Sequence, residues 1–132
     1  MKDGVLFISP SLEDANILSR MLAAASISVQ HADCFQRARQ KLDQESYGVI
    51  LTEARFPDGK WQDVMLLVEH EHHTSAVVVT DRLADARLWA DALDLGAYDV
   101  LAQPFCSSEV QRVMGNALAT PAQLRRAASF AL

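Results

Sequence analysis

Cysteine is nearly missing from this chain: Cys34 and Cys106 lie far apart and make no CxxC pair, so the spacing encodes no disulfide framework or thiolate metal site. An excess of positive charge is missing too. Against 12 Lys and Arg stand 17 Asp and Glu, a formal net charge of -5, and no basic face is offered to nucleic acid or to an anionic membrane. No apolar run approaches the roughly 20 residues of a membrane span. The opening "MKDGVLF" turns acidic before a signal-peptide stretch develops, which together with the cysteine usage predicts a reducing, cytoplasmic address. Neither a GxGxxG nor a P-loop occurs, so nucleotide binding would rest on fold analogy alone. Internal repeats and low-complexity tracts are absent.

What is present is one domain's worth of core. Half of the 132 residues are hydrophobic, and a chain of this length buries roughly two thirds of its unfolded surface without staples. Short apolar runs recur at 4–8, 27–32, 48–52, 76–80 and 98–102 and predict five strands. The runs "GVLFI", "GVILT" and "AVVVT" are continuous rather than alternating, the pattern of strands buried on both faces of a parallel sheet. Helix-length segments fill the gaps. In "SLEDANILSRMLAAA", Ser11 and Asp14 form a capping-box pattern ahead of a stripe of Ala15, Leu18, Leu22 and Ala25. Residues 33–44 are polar with few anchors; 61–70 carry Trp61, Val64, Met65 and Val68; 107–118 carry Val110, Val113, Met114, Ala117 and Leu118. Strands alternating with crossover helices predict an α/β domain with a doubly wound parallel sheet. In "ATPAQLRRAASFAL", Thr120, Pro121 and Gln123 supply an N-cap, an N1 proline and a capping-box partner, predicting a short sixth helix after the domain proper. The boundaries are therefore 1–118 for the domain and 119–132 for a helical extension, which could be a docked appendage, a coupling segment or a linker stub.

In such a sheet ligands bind beyond the carboxyl ends of the strands. Those ends supply Ser9 and Pro10, Glu53, Thr80 and Asp81, and Gln103 with Pro104. Five βα pairs, an acid four residues before "PDG", a strand ending in Thr and the stretch "GAYDVLAQPF" resemble the receiver domain of bacterial two-component response regulators, over about residues 4 to 118. The resemblance implies a flavodoxin-like (βα)5 fold with strand order 2-1-3-4-5. It also implies an aspartate that takes up a phosphoryl group, and a magnesium ion held between that aspartate and an acidic pair after the first strand.

Position by position, this chain departs from that pattern. The acidic pair falls on Ser9 and Pro10, the phosphoacceptor aspartate on Glu53, the lysine on Gln103 and the aromatic switch residue on Val100; the hydroxyl falls on Thr80 and matches, and Pro104 follows the lysine position. A magnesium ion wants octahedral oxygen ligation with one or two carboxylates among its ligands, so its binding is expected to be weak or lost. Neutral Gln103 supplies no charge to a transferring phosphoryl group. Glu53 carries one methylene more than Asp, which displaces its oxygen from an in-line position. Glu53 then either places a permanent negative charge near where a phosphoaspartate's would stand or caps the loop or the following helix. Thr80 reads as a strand-end hydroxyl bonded to backbone or as the family's sensor. Gln103–Pro104 is cis if the resemblance holds and trans by base rate.

Other features compete. His70 and His73 in "EHEHH" are one helical turn apart, a metal-pair spacing, but a solvated helix end where His meets the dipole accounts for them without a third ligand. Cys34 and Cys106 lack an adjacent His or Arg and read as inert. Trp61 either covers the loop over the site or packs in the core. In "LADARLWADALDLG", Ala84, Leu88, Ala92 and Leu95 make a core stripe, while Ala86, Trp89 and Leu93 make a second one turned away from it. The resemblance puts that helix on the face receivers use for dimerisation and output, and Trp is a common interface anchor. The reading is a non-enzymatic pseudo-receiver without cofactor. It binds a protein partner, whether a histidine kinase, an output protein or a second copy through the 84–95 helix, and neither nucleic acid nor membrane. The alternative is an active receiver phosphorylated with magnesium at Glu53, Asp58 or Asp81.

Overall fold

The computed structural model describes residues 4–125. In chain order it contains β1 (Val5–Ile8), α1 (Leu12–Ala23), β2 (Val29–Ala32), α2 (Phe35–Gln44) and β3 (Val49–Glu53), then two short strands, β4 (Arg55–Phe56) and β5 (Gly59–Lys60). After these come α3 (Trp61–His70), β6 (Ala76–Asp81), α4 (Ala86–Asp94), β7 (Asp99–Ala102) and α5 (Ser107–Ala119). Five strands pair in parallel in the order β2-β1-β3-β6-β7. Counting sheet strands alone, this is the expected 2-1-3-4-5.

The continuous apolar runs follow from burial on both faces. Val5, Phe7, Val49, Leu51, Ala76 and Val78 pack with Leu18 and Leu22 of α1 and with Val113 and Met114 of α5. The alternate residues Leu6, Ile8, Ile50, Val77 and Val79 pack with Leu42 of α2, Val64 and Val68 of α3 and Ala92 of α4. Each such fully buried aliphatic side chain contributes about 2 kcal/mol by removal from water. Strand order reverses between β1 and β3, so the ends of those two strands open a crevice at the switch point.

Several details differ from the sequence reading. Ala25 and Leu95, predicted core positions, are exposed because α1 stops at Ala23 and α4 at Asp94. Ser11 does accept a hydrogen bond from the Asp14 amide, at 3.1 Å. The β4–β5 hairpin, unforeseen, is an antiparallel pair joined by "PD". Thr120 ends α5 instead of starting a new helix: its hydroxyl donates to the Asn116 carbonyl at 2.8 Å, and the described part of the extension is a 3-10 turn at Ala122–Leu124. Residues 126–132 of the expected extension lie outside the described residues. His70 ends α3, so His73 is off the helix, pairs instead with Glu71 at 3.4 Å, and the one-turn spacing is not realised. Among the described residues no group of three His, Cys, Asp or Glu is placed to hold a metal ion. None of the described helices is long and apolar enough to cross a membrane.

Candidate functional site

Parallel register brings four side chains to one edge of the sheet. Ile8 pairs with Thr52, which sets Ser9 beside Glu53; Glu53 pairs with Thr80, and Thr80 with Leu101, two residues before Gln103. The Ser9 hydroxyl donates to Glu53 Oε2 at 2.9 Å and accepts the Ser11 amide at 3.1 Å. Gln103 Nε2 donates to the same Glu53 oxygen at 3.1 Å and to Thr80 Oγ1 at 3.3 Å. Ser9, Thr80 and Gln103 are buried while Glu53 is partly buried. The carboxylate is therefore held by neutral donors alone; no described salt bridge includes it. Glu53 caps neither its loop nor α3, whose first turn is capped by Asp63 accepting from the Lys60 amide at 3.0 Å.

Around this core the predicted residues sort themselves. Gln103–Pro104 is a cis peptide, as the resemblance implied and the base rate did not. Thr80 meets a side-chain donor, where a backbone partner had been one of two readings. Val100 is buried against the α2–α4 side of the core, so no aromatic ring occupies its position. Pro10 is exposed and offers no side-chain donor or acceptor. Trp61 packs in the core, 4% exposed, with its amide on the Ala54 carbonyl at 3.1 Å. A cleft of about 880 Å³ lies beside the site, between the hairpin and α4, lined by Arg55, Lys60, Trp61, Asp81, Arg87 and Leu88 among others, but not by Glu53.

A magnesium ion fits this donor set poorly. One carboxylate oxygen and the Ser9 hydroxyl are already hydrogen-bonded to each other, and Pro10 adds nothing to the near-octahedral oxygen shell such an ion requires. Asp58 is not free to replace the missing acid. Its carboxylate accepts the Phe35 amide at 2.7 Å and the Gln36 amide at 3.1 Å, capping α2, whose own Cys34 provides no side-chain cap. Hydrogen bonding from Phe35 foremost, then from Gln36, holds the Asp58 carboxyl below its ordinary pKa. Asp81 ends β6, and its carbonyl accepts the Gln103 amide at 3.1 Å.

Sequence reasoning missed three contributions. The "PDG" turn carries Asp58 across to α2, and Phe56 of the same hairpin stacks on Phe35 with centroids 6.3 Å apart. Arg82 meets Asp14 at 3.2 Å, tying the segment after β6 to α1. His31 Nε2 lies 2.7 Å from the Ser9 carbonyl and so carries the proton that it donates there. Cys106, read as inert, is exposed at the start of α5, and hydrogen bonding with Ser108 and its backbone neighbours lowers the thiol's pKa. For Phe35, Phe56 and Asp58 the turn signal was visible but its reach was not.

On the α4 surface Trp89 and Leu93 are 38% and 39% exposed, and Ala86 is exposed beside them. The core side of that helix is Ala92, with Ala84 and Leu88 packed against the cluster. Of the predicted core stripe, Ala84, Leu88 and Ala92 lie inward while Leu95 is exposed; Ala86, Trp89 and Leu93 stand outward.

No family model matches the chain. Over 113 residues, 86% of its length, it is 23% identical to the response regulator protein PilR of Pseudomonas aeruginosa, of which it spans about a quarter. Among solved structures it resembles the beryllofluoride-activated NtrC4 receiver domain dimer, at a TM-score of 0.81 and 21% identity over 88% of this chain and 96% of that one. The chemotaxis response regulator CheY4 of Vibrio cholerae aligns at 0.79 and 16%, over 89% and 99%. The Francisella response regulator 1452 receiver domain aligns at 0.81 and 16%, over 89% and 97%. At these identities the likeness is one of architecture, and the described chain has the flavodoxin-like fold of response regulator receiver domains.

Proposed function

We propose that this chain is a receiver-like signalling domain of a two-component pathway that works by binding protein and takes up no phosphoryl group. The observation that carries the reading is the Glu53 carboxylate, held by Ser9 and Gln103, two neutral donors, where the resemblance would put the phosphoacceptor. In-line attack on a phosphoryl group needs cations beside the nucleophilic oxygen that take up the developing charge. Here Ser9 and Gln103 stand where an acid and a cation would be required. Glu53 supplies standing negative charge instead, and the output is contact through the α4 face that presents Ala86, Trp89 and Leu93. The partner is a histidine kinase, an output protein or a second copy; the NtrC4 structure is of a dimer, which makes self-association the first case to examine.

The competing reading, phosphorylation at Glu53, Asp58 or Asp81, would have to break the cap on α2 if Asp58 were the acceptor. Both readings meet in one experiment: an amide NMR titration with magnesium and then beryllofluoride, which mimics an acylphosphate. The expected result is an unchanged spectrum at millimolar magnesium. Saturable shifts at Glu53 that propagate to Thr80 and Trp89 would establish a working phosphoacceptor and end the pseudo-receiver reading.

A further inference from the structure

We propose that Gln103 is a positioning residue, a charge-free bracket whose side-chain amide fastens β3 to β6 and holds the start of the β6–α4 connection in one arrangement. The inference rests on the receiver-like reading of the Glu53 site and adds how that site is kept in a single state. Its basis is the count of donors. A glutamine nitrogen carries two N–H groups, and here one meets Glu53 Oε2 at 3.1 Å and the other Thr80 Oγ1 at 3.3 Å. The ionised carboxylate only accepts, so the nitrogen and not the oxygen of the amide must face it. The main chain of Gln103 makes a third tie to β6, its N–H donating to the Asp81 carbonyl at 3.1 Å.

The Glu53 carboxylate meets both Ser9 and Gln103, and the Gln103 side chain spans the ends of two strands. The bracket acts on a segment held from the far side as well, since Arg82, two residues beyond Thr80, meets Asp14 of α1 at 3.2 Å. Between these anchors and α4 lie only residues 83–85. Asp85 begins the helix by accepting the Leu88 amide at 2.9 Å, so the pose of the Trp89 face follows from the fixing of Thr80 and Arg82. Neutral donors need neither a metal nor a phosphoryl group to hold that pose.

The test is ¹⁵N relaxation dispersion with amide hydrogen exchange on the full chain, comparing wild type, Gln103→Leu and Gln103→Lys. Wild type is expected to give flat dispersion at Thr80, Asp81 and residues 86–94. Gln103→Leu keeps bulk but removes both donors; exchange broadening should appear at those positions and not in α1 or α5. The Ala54 amide, which donates to the Thr80 carbonyl at 3.0 Å, should exchange at least roughly tenfold faster, since both side-chain hydrogen bonds of the bracket are lost. Gln103→Lys restores donors to both acceptors and should restore the flat profile, which a purely space-filling role would not predict. Should Gln103→Leu fail to fold, Thr80→Val removes the acceptor alone and must give the same pattern. Flat dispersion in Gln103→Leu, or in Thr80→Val where it stands in for it, or broadening spread evenly over the domain, overturns the bracket. That outcome is independent of the beryllofluoride titration, which can leave Glu53 unphosphorylated while the bracket fails, or the reverse.

Discussion

Two side chains show how far a single polar group can decide local stability. Asp58 sits on an exposed hairpin turn yet closes two backbone N–H groups of a helix it does not belong to. Removing an N-cap acceptor costs about 1 kcal/mol, so Asp58→Ala should lower urea-unfolding stability by that amount while Asp58→Asn, itself a good cap, loses less. The sign of the pH effect follows from the lowered pKa: the folded state binds the proton less readily, so the stabilisation is present above the unfolded pKa and is lost as pH falls through the folded one. Wild type should therefore lose more stability than Asp58→Asn between neutral and strongly acid pH, and parallel curves would contradict the cap. Tyr47 is the opposite case. It is 3% exposed and its hydroxyl has no partner among the described residues, while burial, and after it Glu45, pushes its pKa up. A buried unsatisfied hydroxyl costs roughly 1–3 kcal/mol, so Tyr47→Phe should leave the thermal midpoint unchanged or raise it. It should also flatten the stability loss of wild type in alkali, where the folded state resists ionisation; a clear drop on Tyr47→Phe would reveal a hydroxyl partner.

Among the elements, α5 offers the cleanest test. Gly115 stands inside it, and an added Cβ would meet nothing within 4 Å among the described residues. Helical glycine costs about 0.5–1 kcal/mol relative to alanine through backbone entropy, so Gly115→Ala should raise chemical stability by that amount; a destabilised variant would mean that something approaches this face of α5. The five sheet strands and five helices were legible in the sequence because two-sided burial writes continuous Val, Ile and Leu runs and one-sided burial writes helical stripes. Their ends were less so: Ala25 and Leu95 continue a stripe after the backbone has left the helix. The β4–β5 hairpin escaped because two-residue strands carry no periodicity, although "PDG" announced a turn. At the site the residue list was legible and its bonding was not. Ser9, Glu53, Thr80 and Gln103 are 94 positions apart at the extremes, and only parallel register sets a single glutamine nitrogen between Glu53 and Thr80.

The fold leaves apolar side chains of the α4 face uncovered. Two of the three helices on one side of the sheet, α2 and α3, turn their large apolar residues mainly inward, with Leu66 of α3 exposed. On α4 the packed residues are Ala92 and partly buried Leu88, with Ala84 just before the helix, and Trp89 and Leu93 stand 38% and 39% exposed on another side of the helix. Leu83, 80% exposed, lies just before the helix. Aromatic anchors surrounded by smaller apolar groups carry most of the energy of many interfaces, whereas substitutions at exposed positions usually move folding stability by no more than about 0.5 kcal/mol. The two effects can be separated in one double variant, Trp89→Ala with Leu93→Ala. Its urea midpoint should match wild type within that margin, because the core stripe is untouched. Its sedimentation should differ: wild type at tens of micromolar is expected to show a concentration-dependent dimer, and the variant to remain a monomer. A stability loss of about 2 kcal/mol or more would return Trp89 to the core and remove the surface from consideration. Wild type sedimenting as a monomer at every concentration would exclude the second copy as occupant and leave the α4 face to a different protein.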